Sequence, residues 1–378
     1  MTETVLEVRD LKTYFYTYAG VVKALDGVDL TIAQGETLGL VGETGCGKSV
    51  TSLSVLRLVP DPPGKIVGGE VLFKGQDLLK MSDEEIRSIR GNKIAMIFQD
   101  PMTYINPVMT IGDQVAEVIL LHQDLRKEAV RARIDEMKEQ LKNAPSDQQR
   151  PIESEITELE AQMSNPPRLS SRETKNIALC KATDLLRLVR MPYPEKVVNQ
   201  YPHELSGGMR QRAIIAMALA CGPSLLIADE ATTSLDVTIQ AQILALLNDL
   251  KRSLQTSIMI ITHDMGIVAE MCDTVAVMYA GVVVEYADTK KLFRNPLHPY
   301  TKGLLRTIPS LTREQDRLET IEGMVPNLIY PPEGCRFHPR CRTAWDICKQ
   351  ERPQMIAVEE NHKVACHLYV GPGHRKEK

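Results

Sequence analysis

The sequence predicts an α/β fold with a mostly parallel core sheet, and three observations predict it. Five short apolar runs, Thr37–Val41, Ile94–Phe98, Leu225–Ala228, Ser257–Ile261 and Thr274–Tyr279, have the length and composition of buried strands. Helical stretches alternate with them, which is the order a parallel sheet requires. The first run ends at a glycine-rich loop that opens a helix, Ser49–Leu58.

Ahead of that core, Val5–Tyr18 and Val21–Ile32 read as two β-segments joined by a turn at Ala19-Gly20. Val22, Ala24, Val28 and Leu30 alternate in part, as on a half-buried strand. Near residue 124 the composition shifts. Val130, Ile134, Met137 and Leu141 are spaced 4, 3 and 4 apart, and Ile152, Ile156, Leu159 and Met163 repeat that spacing. This predicts two amphipathic helices folded as an antiparallel hairpin, an insertion over residues 122–178 with a break at Asn165-Pro-Pro. It is either a solvated insertion without chemistry or a docking arm for a partner. The main domain is expected to span residues 1–285. Beyond it prolines become frequent and four cysteines cluster, which predicts a small, loop-rich accessory domain over 286–378 that needs a staple.

The bulk numbers exclude some classes. A chain of 378 residues has room for a large domain and a smaller one. Hydrophobic content of 43 % is that of an ordinary globular chain. A net charge of −4 argues against a nucleic-acid binder, which would carry a basic balance or patch. No apolar run reaches the roughly 18–20 residues of a membrane span. Met1-Thr-Glu-Thr-Val is acidic and has none of the regions of a signal peptide. A cytoplasmic chain is expected, with any membrane role arising from docking onto another protein.

The chemistry concentrates at Gly42-Glu43-Thr44-Gly45-Cys46-Gly47-Lys48-Ser49, which fits G-x-x-x-x-G-K-[ST] at every fixed position. Glycines let successive backbone N–H groups turn inward around phosphates, and the following helix, entered through Val50, adds its positive end. Lys48 is expected to reach the β- and γ-phosphates, and the Ser49 hydroxyl to hold Mg²⁺. Leu225–Glu230 is an apolar run ending in two carboxylates. Beside a phosphate loop, Asp229 suits Mg²⁺ and Glu230 suits the general base that polarises the attacking water. Ser206-Gly207-Gly208 opens a helix and makes a second anion site. Gln99 and His263 each follow an apolar strand. Gln99 can sense metal or water, and His263 can contact a γ-phosphate. Taken singly, a Gln there is usually surface and a His usually structural.

In this order, phosphate loop, Gln99, Leu205-Ser206-Gly207-Gly208, Asp229-Glu230, Ser234-Leu235-Asp236 and His263, the chain resembles the nucleotide-binding domain of ABC ATPases over about residues 5–285. The resemblance implies a P-loop NTPase core with an N-terminal antiparallel β subdomain and an α-helical subdomain. It implies that Asp236 lies in a loop coupling two ATP sites. It also implies that an aromatic after the first strand stacks on adenine; Phe15 fits best, with Tyr14, Tyr16 and Tyr18 as alternatives. One subunit's Ser-Gly-Gly loop then closes on ATP held by a partner's phosphate loop, so hydrolysis requires a dimer. Met209 departs from the Gln of many members, which leaves the backbone anion site intact.

The tail narrows the branch. Asn295–Leu305, Gly334–Cys341 and Gln99–Pro107 are similar to segments of oligopeptide/dipeptide importer ATPases. That resemblance implies a paralogous ATPase subunit forming a heterodimer, two transmembrane permease subunits and an extracytoplasmic substrate-binding protein. It implies a peripheral position on the cytoplasmic face of the membrane, with contact through the permeases only. Cys335, Cys341, Cys348 and Cys366 are spaced C-x5-C-x6-C-x17-C, unlike the paired C-x2-C of common zinc sites. Four thiolates suit a [4Fe–4S] cluster or structural zinc, with free or disulfide-bonded cysteines as the remaining alternative, and His338, His362 and His367 lie close by in sequence and could replace a ligand. The branch resemblance implies the cluster, in a structural role. Nickel and oligosaccharide importers share similar motors. A soluble ABC ATPase acting on nucleic acid or ribosomes would bring a long coiled coil or a second ATPase domain, and an exporter often a fused membrane span.

Overall fold

The computed structural model describes residues 3–99, 103–143, 145–231, 236–307 and 321–370. They form two compact units, residues 1–100 with 224–378, and residues 101–223.

The first unit holds twelve strands among its described residues: β1 (Thr4–Thr17), β2 (Gly20–Ala33), β3 (Thr37–Val41), β4 (Gly64–Phe73), β5 (Gln76–Asp77), β6 (Ile94–Ile97), β7 (Leu225–Asp229), β8 (Ser257–Thr262), β9 (Thr274–Tyr279), β10 (Val282–Asp288), β11 (Ile356–Glu359) and β12 (His362–Val364). β2, β1, β4 and β5 make an antiparallel sheet in that order. The second sheet runs β11-β12-β10-β9-β3-β8-β7-β6. Its five strands from β9 to β6 are parallel. They are the five apolar runs of the sequence. Every residue of β3, β7 and β8 is buried, which explains their lack of alternation. Leu6, Leu11 and Leu25 of the antiparallel sheet share one core with Leu38, Leu40, Leu225 and Met259 of the larger one.

Two of the longer strands, β4 and β10, are among those that the apolar pattern does not mark. β4 carries Gly64, Gly68 and Gly69, which break its apolar pattern. β10 follows β9 through Ala280-Gly281, both at positive φ, a tight turn of the primed type suited to hairpins. β10 then pairs with β12, so the tail, expected as an accessory domain, packs within the same compact unit. Buried Glu285 of β10 is its anchor. The carboxylate accepts from the Leu297 and His298 amides, both at 2.8 Å, and from His362 Nε2 at 2.7 Å.

The second unit is helical. Leu125–Asn143 and Ser146–Gln162 are the predicted hairpin. Val130, Ile134, Met137 and Ile156 are its core, and Leu141, Ile152, Leu159 and Met163 pack against them. Lys138 bridges to Glu160 at 3.1 Å. Ser171–Leu188 starts at a capping box in which Ser170 and Glu173 satisfy each other's free amides. No described helix is long and apolar enough to cross a membrane.

Candidate functional site

The loop from Gly42 to Gly47 leaves β3 and enters the helix Lys48–Val55. Its glycines are required by space as well as by conformation. A Cβ at Gly42 would meet the Met278 carbonyl oxygen at 2.2 Å, and one at Gly47 the Ala24 carbonyl oxygen at 2.8 Å. Gly42 and Gly47 have φ of 154° and 107°, which side chains rarely tolerate. Among the described residues, the amides of Gly45, Gly47, Lys48 and Ser49 donate to no partner. Lys48 is buried and folds back, its Nζ donating to the carbonyl oxygens of Gly42 at 2.8 Å and Glu43 at 3.1 Å. A cradle of free amides with a buried ammonium at its mouth fits an anion of phosphate type.

The two acids at the end of β7 lie beside this loop. Ser49 Oγ donates to Asp229 Oδ1 at 3.2 Å. Burial pushes the Asp229 carboxyl up to about 6, and the Glu230 charge adds to it, while the Ser49 hydrogen bond and Lys48 oppose. A buried carboxylate with acceptor capacity to spare fits a cation. Glu230 follows with φ 47°, a left-handed conformation costly for any side chain. Its amide is tied to the Ile261 carbonyl at 2.9 Å. Its carboxylate accepts from Gln99 Nε2 at 2.9 Å and stands 3.2 Å from His263 Nδ1. The structure thus brings Lys48, Ser49, Gln99, Asp229, Glu230 and His263 into one neighbourhood.

Phe15 shares a face of β1 with Thr13, whose hydroxyl meets Ser54 of the helix behind the phosphate loop at 2.8 Å. Tyr14 turns to the other face and donates to Asp26 at 3.0 Å, and Tyr16 follows the same alternation. Tyr18 is fully exposed in the turn after β1. In the helical unit, Ser206 caps Gly207–Leu219 by accepting from the Met209 amide. Asp236 caps Val237–Leu254 by accepting from the Ile239 amide at 2.9 Å. Ser234 and Leu235 lie outside the described residues, as does Asp100-Pro101-Met102.

Cys335, Cys341, Cys348 and Cys366 line one small cavity of about 10 Å³ with His298 and His367. Burial pushes the Cys335 thiol to about 11 and the Cys366 thiol to about 12, and the neighbouring thiols reinforce the rise. Among the described residues no group of three or more Cys, His, Asp or Glu side chains has the mutual arrangement of a metal site. The four expected donors of an iron–sulfur centre therefore line one cavity without, among the described residues, the mutual arrangement of a metal site.

Two contacts on the phosphate loop were missed from sequence. The Glu43 amide donates to the Tyr300 hydroxyl at 2.8 Å, and Arg340 pairs with the Glu43 carboxylate. Both residues lie in tail segments quoted for their resemblance, but no spacing rule links position 340 to position 43.

A family model described as "ABC transporter" matches residues 25–233, more than half of the chain. The chain belongs to the ABC transporter family. Residues 284–348 match a second model, the C-terminal region of oligopeptide/dipeptide transporters. This ABC protein is 47 % identical over 365 residues to a probable peptide ABC transporter ATP-binding protein of Sinorhizobium fredii, covering 96 % of this chain and 95 % of the relative. It is 44 % identical over 370 residues to an oligopeptide transport ATP-binding protein of Bacillus subtilis, covering 98 % of each. A dipeptide transport ATP-binding protein of Bacillus subtilis is 43 % identical, over 97 % of this chain and 95 % of the relative. The dimeric structure of an ABC transporter cassette superposes with a TM-score of 0.56 at 22 % identity, covering 75 % of this chain and 98 % of that one. Membership makes the chain an ATP-binding ATPase subunit coupled to transport.

Proposed function

We propose that this chain is the ATP-hydrolysing motor of an importer carrying di- or oligopeptides across the cytoplasmic membrane. One observation carries the motor reading: Glu230 is engaged by Gln99 and His263 while Asp229, one residue earlier, accepts from Ser49 of the phosphate loop. The peptide-importer reading is supported by the tail's family match and by relatives of nearly full length.

In this reading residues 42–50 wrap the triphosphate and Lys48 turns from its loop carbonyls to the phosphates. Ser49, Asp229 and Gln99 supply oxygens to Mg²⁺. When bound, the metal neutralises charge on the phosphate oxygens. Glu230 takes a proton from the attacking water, and His263 holds Glu230 and the γ-phosphate in register. Phe15 offers its ring to adenine. Ser206, Gly207, Gly208 and Asp236 serve the partner's site, in a heterodimer with a paralogous ATPase subunit. Two permease subunits anchor that dimer on the cytoplasmic face, and an extracytoplasmic binding protein delivers the peptide. Nucleic acid has no place in the cycle.

We propose further that the four tail cysteines hold a structural metal centre, an iron–sulfur cluster ahead of zinc. Their convergence on one cavity supports this. Thiols with raised pKa values release their protons only to a strongly bound cation. Visible absorption and metal analysis after anaerobic purification test it; a colourless, metal-free protein removes the centre.

The motor reading is tested by isolating the chain from membranes with its partners. Integral membrane subunits should co-purify, and ATP turnover should rise when peptide-loaded binding protein is added to the reconstituted complex. Isolation with ribosomes or nucleic acid instead would overturn it.

A further inference from the structure

Two tail side chains outside the ATPase core grip the phosphate loop at one residue, Glu43. Tyr300 is fully buried, and its hydroxyl accepts from the Glu43 amide at 2.8 Å. Arg340, whose side chain is 5 % exposed, holds the Glu43 carboxylate in a two-pronged ion pair, Nη1 to Oε2 at 2.6 Å and Nη2 to Oε1 at 2.9 Å. The guanidinium is itself fixed. It donates to the Ile321 carbonyl at 3.0 Å and the Glu322 carbonyl at 2.9 Å, and lies 5.7 Å from the centre of the Tyr279 ring. Tyr279, Tyr300 and Phe337 pack ring against ring, with centroids 4.7 to 5.4 Å apart. Arg340 also ends a tight 3₁₀ turn between Cys335 and Cys341. The tail thus presents a rigid block to the loop.

We propose that Arg340 and Tyr300 are positioning residues of the nucleotide site, through which the tail sets the affinity for ATP. The proposal rests on the reading of residues 42–49 as the triphosphate cradle. An acid in a loop built for a polyanion repels its ligand unless it is neutralised. Arg340 neutralises Glu43 and holds it against the tail, and its planar fork does so in a way a lysine cannot reproduce. Tyr300 fixes the amide of the same residue, so the loop enters its turn in one orientation. An Arg340 that acts through charge predicts rescue: removing the Glu43 charge should relieve the loss of Arg340.

The test is equilibrium binding of Mg·ATP to the full chain, with steady-state turnover, for the parent, Arg340→Ala, the Glu43→Gln/Arg340→Ala pair and Tyr300→Phe. Arg340→Ala should raise the Kd and KM for ATP about tenfold with kcat within about twofold. The double variant should recover most of that loss, and Tyr300→Phe should raise KM several-fold. A role in folding alone lowers the melting temperature and is not rescued by Glu43→Gln. Parent-like affinity in Arg340→Ala, or a loss that Glu43→Gln leaves in place, overturns the proposal. If Arg340→Ala does not fold, Arg340→Lys and Tyr300→Phe decide, and parent-like KM in both overturns it. A parent that binds no ATP sinks the cradle reading as well. Lys48→Ala losing ATP while Arg340→Ala keeps it sinks this proposal alone.

Discussion

The Ser49 hydroxyl and the Asp229 carboxylate, 180 positions apart in the chain, are hydrogen-bonded at 3.2 Å. β3 and β7 both pair parallel with β8, which brings their C-terminal ends to the same side of the sheet. The phosphate loop and the acid pair, recognised separately in the sequence, are therefore neighbours in space, and the hydrolytic reading stands on that adjacency.

Asp229 gives the first prediction, a pH dependence. Its carboxyl is raised to about 6 by burial and by Glu230, above the ordinary value of 3.8. The folded chain therefore holds this proton more tightly than the unfolded one. The stability it contributes is fully present below about pH 4 and is lost as the pH rises through 6, a difference of about 3 kcal/mol. Asp229→Asn should accordingly raise the unfolding midpoint of the metal-free chain at pH 8, with the gain shrinking toward pH 4. A gain that does not change with pH would refute the assignment.

Glu230→Gln is the sharpest test of the base. The amide keeps the size of the side chain and its contacts with Gln99 and His263 but cannot accept the proton of water. Turnover should fall by roughly 10²–10⁴-fold while ATP affinity stays near that of the parent. A closed dimer should accumulate with ATP, visible by light scattering. Turnover above a tenth of the parent rate would remove Glu230 from the role.

Much of this arrangement was legible in the sequence because the parallel strands are buried on both faces and read as unbroken apolar runs. The helical hairpin was legible for a related reason, since Val130, Ile134, Met137 and Leu141, and then Ile152, Ile156, Leu159 and Met163, repeat at helical spacing with few competing apolar residues. β4 was not, because its glycines interrupt the pattern, and β10 was not, because the Ala280-Gly281 turn is too short to stand out. The tail's union with the core was hidden for a different reason. It depends on Glu285, Tyr300 and Arg340, single polar side chains whose partners are far off in sequence and leave no periodic trace. His263 and Gln99 became informative only by their order after apolar strands.

Lys48→Ala addresses the cradle. Lys48 is buried, and among the described residues its side-chain partners are the loop's own carbonyls and the Cys46 sulfur, so its charge is available to an incoming anion. Removing it should weaken ATP binding or turnover by on the order of 10²-fold, in line with a desolvated charge aimed at the phosphates. The free amides of the loop remain, so residual binding should persist at high nucleotide concentration. Isothermal titration with Mg·ATP measures this, and an unchanged affinity together with unchanged turnover would refute the role.

Glu285→Ala should loosen the tail from the core. The carboxylate is fully buried and serves three donors, the Leu297 and His298 amides and His362 Nε2. Alanine leaves all three without an acceptor in a dry site, a loss of about 3–5 kcal/mol. Glu285→Gln keeps one acceptor oxygen and should lose less. His298 caps the helix Pro299–Arg306, which carries Tyr300, so release of this anchor reaches the phosphate loop through the Glu43 amide. Hydrogen exchange should quicken first at Leu297 and His298 and then across Pro299–Arg306, with the parallel strands still protected. Uniform exchange across both regions would mean that the tail and the sheet unfold as one, and that Glu285 is not a separable anchor.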